Sequence, residues 1–326
     1  MPNSQLSLPA DNIHIGTINS DGTKIVTVSK DKTVKLWQRD DLEFHPKTIQ
    51  EVENDITAIS FSPDSTMIAT AHKNGNNGIV TLQDLESQIR HVFNFNTKVK
   101  SISFSPDSTM IATASSDDAI SVHNTISVHS INGDNIFEIA YQASINSVSF
   151  CPNVDKQVAS ASWDSTVKLW DLEGNLIQTL DEQNGGHTDG VYSVCFSPNG
   201  DRMATASADE TIKLWVRQGQ RFNKHAETNK QGAEVFRVCF NPFSSDNFVT
   251  VSKDNIVKLW NLEGDEINEI KRYKIQDSKP FNIISFSENG NKIAFADGAG
   301  RFIFWNWQWN SDQLFDRANK WVSDYR

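Results

Sequence analysis

The chain has 326 residues, 38% hydrophobic and 22% charged, with a formal net charge of −11. That content supports a sizeable core, and the acidic balance argues against general affinity for nucleic-acid backbones or anionic membranes, which require clustered Lys and Arg. No apolar run approaches the roughly 18 residues of a membrane span, and MPNSQLSLPADN lacks the basic start and apolar stretch of a signal peptide, so a cytoplasmic chain is expected.

Along the chain, ISFSPDSTMIATA at Ile59 to Ala71 recurs letter for letter at Ile102 to Ala114, 43 positions on. Duplication at a fixed period marks a repeat architecture. Aligning on the phenylalanine of FSPD gives Phe61, Phe104, Phe150, Phe196, Phe240 and Phe286, with Ile18 as a weaker first member. Seven copies spaced 43 to 46 residues apart leave no linker for a second domain. The fourth copy shows the unit in full. Its alternating Val, Ile, Ser and Thr runs predict strands at Ile145–Ser149, Val158–Ser162, Thr166–Trp170 and Leu176–Leu180, separated by turn residues. Such a meander has two apolar faces and must stack on its neighbours.

Cys195 and Cys239 stand one residue before the anchor in consecutive repeats. Packed sheets lie about 10 Å apart, too far for a bridge. They read as small core residues, and with Cys151 they form neither a disulfide framework nor a zinc site.

SKDKTVKLW (Ser29 to Trp37), SWDSTVKLWD (Ser162 to Asp171), SADETIKLW (Ser207 to Trp215) and SKDNIVKLWN (Ser252 to Asn261) stand in register. In these the chain resembles the WD40-repeat β-propeller family over roughly residues 12 to 309. The resemblance implies an all-β, seven-bladed β-propeller of four-stranded antiparallel blades. It also implies a tetrad in each blade: a loop His, a hydroxyl, a turn Asp and a Trp. The matching residues are Thr27, Asp31 and Trp37; Ser160, Asp164 and Trp170; Thr205, Asp209 and Trp215; and Thr250, Asp254 and Trp260. Only the fifth repeat carries the loop Gly-His, so only there, with His187, is the tetrad complete. A buried carboxylate needs such donors.

Three repeats depart from the pattern. Gln83 takes the Trp place in the second, where the turn is expected to be enlarged. In the third, ISVH occurs twice, and His129 is favoured over His123 for that place. The seventh keeps Trp305 but has Phe295 and Ala299 where the hydroxyl and Asp belong.

The family usually closes its ring with an N-terminal strand, so residues 1–12, and Gln5 to Leu8 in particular, are expected to complete the last blade, with the propeller over 13–310. Leu314, Phe315, Ala318, Trp321, Val322 and Tyr325 form one helical stripe, predicting a C-terminal amphipathic helix over 311–326. The ending WVSDY resembles endings of the C-terminal propellers of bacterial multidomain signalling proteins.

No Rossmann fingerprint, P-loop, HExxH, GxSxG or EF-hand pattern is present. No catalytic residue, cofactor or metal ligand is predicted, and the Ser/Thr, His and Asp of the tetrads read as buried structure. Partners of this family commonly meet the face around the central opening. By register that face includes Trp163, Tyr192 and Phe236, three aromatics from consecutive repeats, and aromatic residues anchor binding hot spots. Lys30, Lys253, Lys100, His14, Asn146 and Glu234 lie at equivalent places, as do Asn12 and Asn282. Lys73 to Gly78 and Ser116 to Thr125 form a second candidate recognition edge. The expected function is a protein- or peptide-binding sensor or scaffold, monomeric as an isolated domain. The alternatives are a small-ligand or enzymatic propeller using the central channel, and a self-associating module.

Overall fold

A computed structural model describes residues 13–19, 23–29, 31–40, 43–86, 88–116, 124–152, 157–263, 266–274, 284–286, 292–296 and 302–306. Blade one is β1 (Ile13–Ile18), β2 (Lys24–Ser29), β3 (Thr33–Asp40) and β4 (Glu43–Glu51), hydrogen-bonded in that order. Blade two is β5 (Ile56–Phe61), β6 (Met67–Asn74), β7 (Asn77–Asp84) and β8 (Ile89–Phe95). Blade three is β9 (Val99–Phe104), β10 (Met110–Ser115), β11 (Asn124–Ser130) and β12 (Asn135–Tyr141). Blade four is β13 (Ile145–Phe150), β14 (Val158–Ser162), β15 (Val167–Trp170) and β16 (Leu176–Leu180). Blade five is β17 (Val191–Phe196), β18 (Arg202–Ser207), β19 (Ile212–Gln218) and β20 (Arg221–Glu227). Blade six is β21 (Val235–Phe240), β22 (Asn247–Ser252), β23 (Ile256–Glu263) and β24 (Glu266–Lys274).

The expectation of seven four-stranded blades is corrected here. Among the described residues six blades have four antiparallel strands, and the seventh repeat supplies a sheet of three, β25 (Ile284–Phe286), β26 (Lys292–Ala296) and β27 (Phe302–Asn306). Nor is the fold accompanied by α-helix: among the described residues the only helical turn is the 3₁₀ segment Glu182–Asn184, and none is long and apolar enough to cross a membrane. The expected closing strand in 1–12 and the expected helix of 311–326 lie outside the described residues.

The inner strands neighbour one another in chain order, and β25 meets β1. The apolar cores lie between successive blades. Ile25, Val28 and Trp37 of blade one pack with Ile56, Phe61 and Ile68 of blade two, and Met203 and Trp215 of blade five pack with Ala159, Val167 and Leu169 of blade four. Burying one such large side chain contributes about 2–3 kcal/mol.

The turns follow one local rule. The non-glycine residues with positive φ among the described residues are Lys32, Ser65, Ser108, Ser165, Glu210 and Asn255, and each directly follows an aspartate. In most of these turns the carboxylate accepts the N–H two residues on, as Asp31 does from Thr33 (3.0 Å) and Asp164 from Thr166 (3.0 Å). This Asx bond offsets the cost of the left-handed residue between them.

Blade two differs from the enlarged turn expected of it. Its extra residues extend the ladder to Lys73↔Gly78 and Asn74↔Asn77, leaving a short hairpin turn. Gly78 is needed there because a Cβ would stand 2.5 Å from the Thr97 carbonyl oxygen of the next blade.

Candidate functional site

The complete tetrad of blade five is a directed chain. Trp215 Nε1 donates to Thr205 Oγ1 at 3.0 Å, and Thr205 is 2.8 Å from His187 Nε2. His187 Nδ1 is 2.8 Å from Asp209 Oδ2. Burial lowers the pKa of His187 against the pull of Asp209, so the ring is neutral, donates from Nδ1 and accepts at Nε2. Burial works against ionisation of Asp209, but the hydrogen bonds from His187 and Thr211 outweigh it and hold the carboxyl well below the usual range. Lys213 Nζ fixes the preceding loop through the carbonyls of Gly186 (2.6 Å) and Gly185 (3.2 Å). Thr205 and His187 are fully buried.

In the other three well-matched repeats only half of this arrangement forms. Trp37 donates to Thr27 (2.8 Å), Trp170 to Ser160 (3.0 Å) and Trp260 to Thr250 (2.8 Å). Asp31 and Asp164 serve their own turns, and Asp254 accepts from Ser252 at 2.5 Å. In blade two, Gln83 pairs with Ile68 as Trp37 pairs with Ile25, and Thr70 donates instead to Gln50 of blade one at 3.0 Å. In blade three, His129 holds the Trp place opposite Ile111 and packs between Phe93 and Phe95 at 4.9 and 5.9 Å. His123 lies outside the described residues.

The candidate face is built by β-bulges. In the inner strand of each of the six blades, the residue four before the anchor is skipped by the ladder: His14, Thr57, Lys100, Asn146, Tyr192 and Phe236. A bulge re-aims its side chain, and four of these reach the next blade. Thr57 donates to Val99 O (2.6 Å), Lys100 to Ser144 Oγ (2.8 Å), Asn146 to Val191 O (2.9 Å) and Tyr192 to Glu234 Oε2 (2.8 Å).

Backbone bonds add the turn residues. Trp163 N–H donates to Ser144 O (2.9 Å) and Lys253 N–H to Glu234 O (2.8 Å), pinning both turns over the inner strands. Trp163, Tyr192 and Phe236 thereby form a continuous ladder across three blades. Each neighbouring pair is T-shaped, with ring centroids 5.0 Å apart. Trp163 is 45% exposed. Lys253 pairs with Glu234 at 2.5 Å, which lowers the Glu234 pKa. Lys30, Asn12, Asn282, the His14 side chain and most of the Ser116 to Thr125 edge lie outside what is described.

Sequence reasoning missed the closeness of the hub. Phe240 N–H donates to Cys195 Sγ at 3.4 Å, so inner strands of neighbouring blades approach well inside the 10 Å expected of stacked sheets. The cause is radial geometry: blades converge at the axis. Both thiols are free; Cys195 Sγ donates to Phe196 O at 3.4 Å and Cys239 Sγ to Phe240 O at 3.5 Å.

The family model described as "WD domain, G-beta repeat" matches residues 133–171, 174–216 and 219–261. "Eukaryotic translation initiation factor eIF2A" matches residues 11–148. WD40 repeat-containing protein HOS15 of Arabidopsis thaliana is 51% identical over 51 residues, 15% of this chain and 8% of that protein. F-box-like/WD repeat-containing protein TBL1X of Mus musculus is 54% identical over 50 residues, 15% of this chain and 9% of that protein. The matched part thus spans less than a tenth of either relative, and both are eukaryotic, so neither carries the bacterial context suggested by the C-terminal ending. A solved structure, "Crystal Structure of Mitotic Checkpoint Complex", superposes with a TM-score of 0.77 at 16% identity, covering 94% of this chain and 92% of the matched one, a likeness of fold alone. The matches thus place WD40-type repeats over residues 133–261, and the fold of the chain is that of a β-propeller.

Proposed function

We propose that this chain is a non-catalytic scaffold that binds a protein or peptide on the face carrying Trp163, Tyr192 and Phe236, as the recognition part of a larger signalling assembly. The aromatic ladder carries this reading. A half-exposed tryptophan braced edge-on by a second ring is a rigid anchor that loses little entropy on binding. Lys253 and Glu234 supply a polar rim on one side of the ladder, with Asn146 and Lys100 on the other, and Lys30 and His14 stand at the same register in the first repeat. The relatives named above carry WD repeats within much longer chains, which supports a recognition role within something larger.

Panning a displayed peptide library on the full chain tests the proposal. Selected peptides should lose about tenfold or more in affinity against Trp163→Ala and Phe236→Ala, with the thermal melt of each variant kept within a few degrees. Affinity undiminished in both variants would remove this face as the binding site.

A further inference from the structure

The hub holds an open cavity of about 670 Å³ whose wall contains Lys98, Lys100 and Arg237 and, among the described residues, no Asp or Glu. In a chain with net charge −11, a wall with three cations and, among the described residues, no carboxylate is a local reversal of sign. Arg237 is its sharpest feature. Three residues before the anchor, where blades three, four and five have Ser101, Ser147 and Ser193, blade six has arginine. Among the described residues its guanidinium has neither an ion pair nor a hydrogen bond, and the side chain is half-buried. The inner strand of the seventh repeat, Ile284–Phe286, offers no acid.

Hydroxyls of the wall add donors. Ser101 Oγ accepts from Val148 N–H at 3.2 Å and Ser193 Oγ from Val238 N–H at 3.3 Å. A hydroxyl that accepts in this way keeps its proton to give. A half-buried arginine without a counter-charge among the described residues is open to an anion, and a volume of this size suits a small ligand.

We infer that the central channel is a binding site for a multiply charged oxyanion, clasped by Arg237 with Lys98 and Lys100 and hydrogen-bonded by Ser101 and Ser193. The site adjoins the aromatic ladder, since Tyr192 and Phe236 also line the cavity. The oxyanion is either a free phosphate ester or the acidic side chains of a docked peptide.

Calorimetric titration of the full chain at low ionic strength with pyrophosphate and, separately, with hexaglutamate tests the inference and distinguishes the sources. Saturable binding of pyrophosphate alone assigns a free phosphate ester; binding of hexaglutamate, competed by pyrophosphate, assigns acidic side chains. In either case Arg237→Gln should weaken binding by about tenfold or more, as expected for the loss of a charge-assisted hydrogen bond. Arg237→Lys should restore part of it. Lys98→Gln, at the mouth, provides a second variant should Arg237→Gln fail to fold, and should weaken binding by about threefold. Absence of binding by both probes, or binding unchanged in Arg237→Gln or, if that variant does not fold, in Lys98→Gln, overturns the inference.

Discussion

Trp163 meets Tyr192 edge to face, ring centroids 5.0 Å apart and planes at 77°, although the two residues belong to different blades. Beneath them Gly190 makes the contact possible: a Cβ there would stand 2.4 Å from Trp163 Cε3. Three local events converge on that spot. The Asx turn presents Trp163, the bulge presents Tyr192, and a glycine at the start of the inner strand leaves room for the indole.

Gly190→Ala should therefore displace the Trp163 ring without removing it. Peptides selected on the wild-type chain are expected to bind about tenfold more weakly. Stability should fall by only about 1 kcal/mol, because a half-exposed ring can swing outward where a core ring cannot. Titration against the selected peptides and a urea melt check the pair of outcomes; unchanged affinity would show that the ring's position does not matter for binding.

Acid should weaken this fold in two stages. His187 is held below its ordinary value of 6.5 by burial, so in the native state it stays neutral while the unfolded ring takes a proton. Unfolding stability then falls with pH below about 6.5, at up to about 1.4 kcal/mol per pH unit. Asp209, also held below its ordinary 3.8, adds a second loss at lower pH, as the unfolded carboxyl protonates before the folded one. His187→Gln should flatten the stability profile between about pH 6.5 and 5 relative to the wild type. Parallel profiles would refute the assignment to His187.

Two threonines at the same register should respond oppositely to loss of the hydroxyl. Thr205 accepts from Trp215 and reaches His187, so Thr205→Val should cost about 2–3 kcal/mol. Thr113 Oγ1 is buried and without a partner among the described residues, because His129 has replaced the tryptophan that would donate to it. Thr113→Val should raise stability by about 1 kcal/mol. Denaturant melts of both variants decide the matter, and destabilisation by Thr113→Val would mean the hydroxyl is satisfied.

Much of this is written within single repeats. Alternation of period two, the Asp before each left-handed turn residue and the ten-residue step from Thr27 to Trp37 are all local, so the strands, the turns and the Trp–hydroxyl pairs were legible from the sequence. The register of ISVHS was legible too, from the likeness of SINGDNIF to DLEGNLIQ.

What joins one blade to the next was not legible. The exposure of Asp31 and Asp164, the bulges that aim Lys100 and Asn146 across to the following blade, the approach of Phe240 to Cys195 and the lack of a partner for Arg237 among the described residues depend on how sheets converge around an axis. So does the finding that, among the described residues, the seventh repeat forms three strands where the other six form four. A repeat specifies its own hydrogen bonds through backbone and turn chemistry. Distances between sheets are set by packing of side chains from two repeats at once, and only the assembled hub decides which of those side chains find partners.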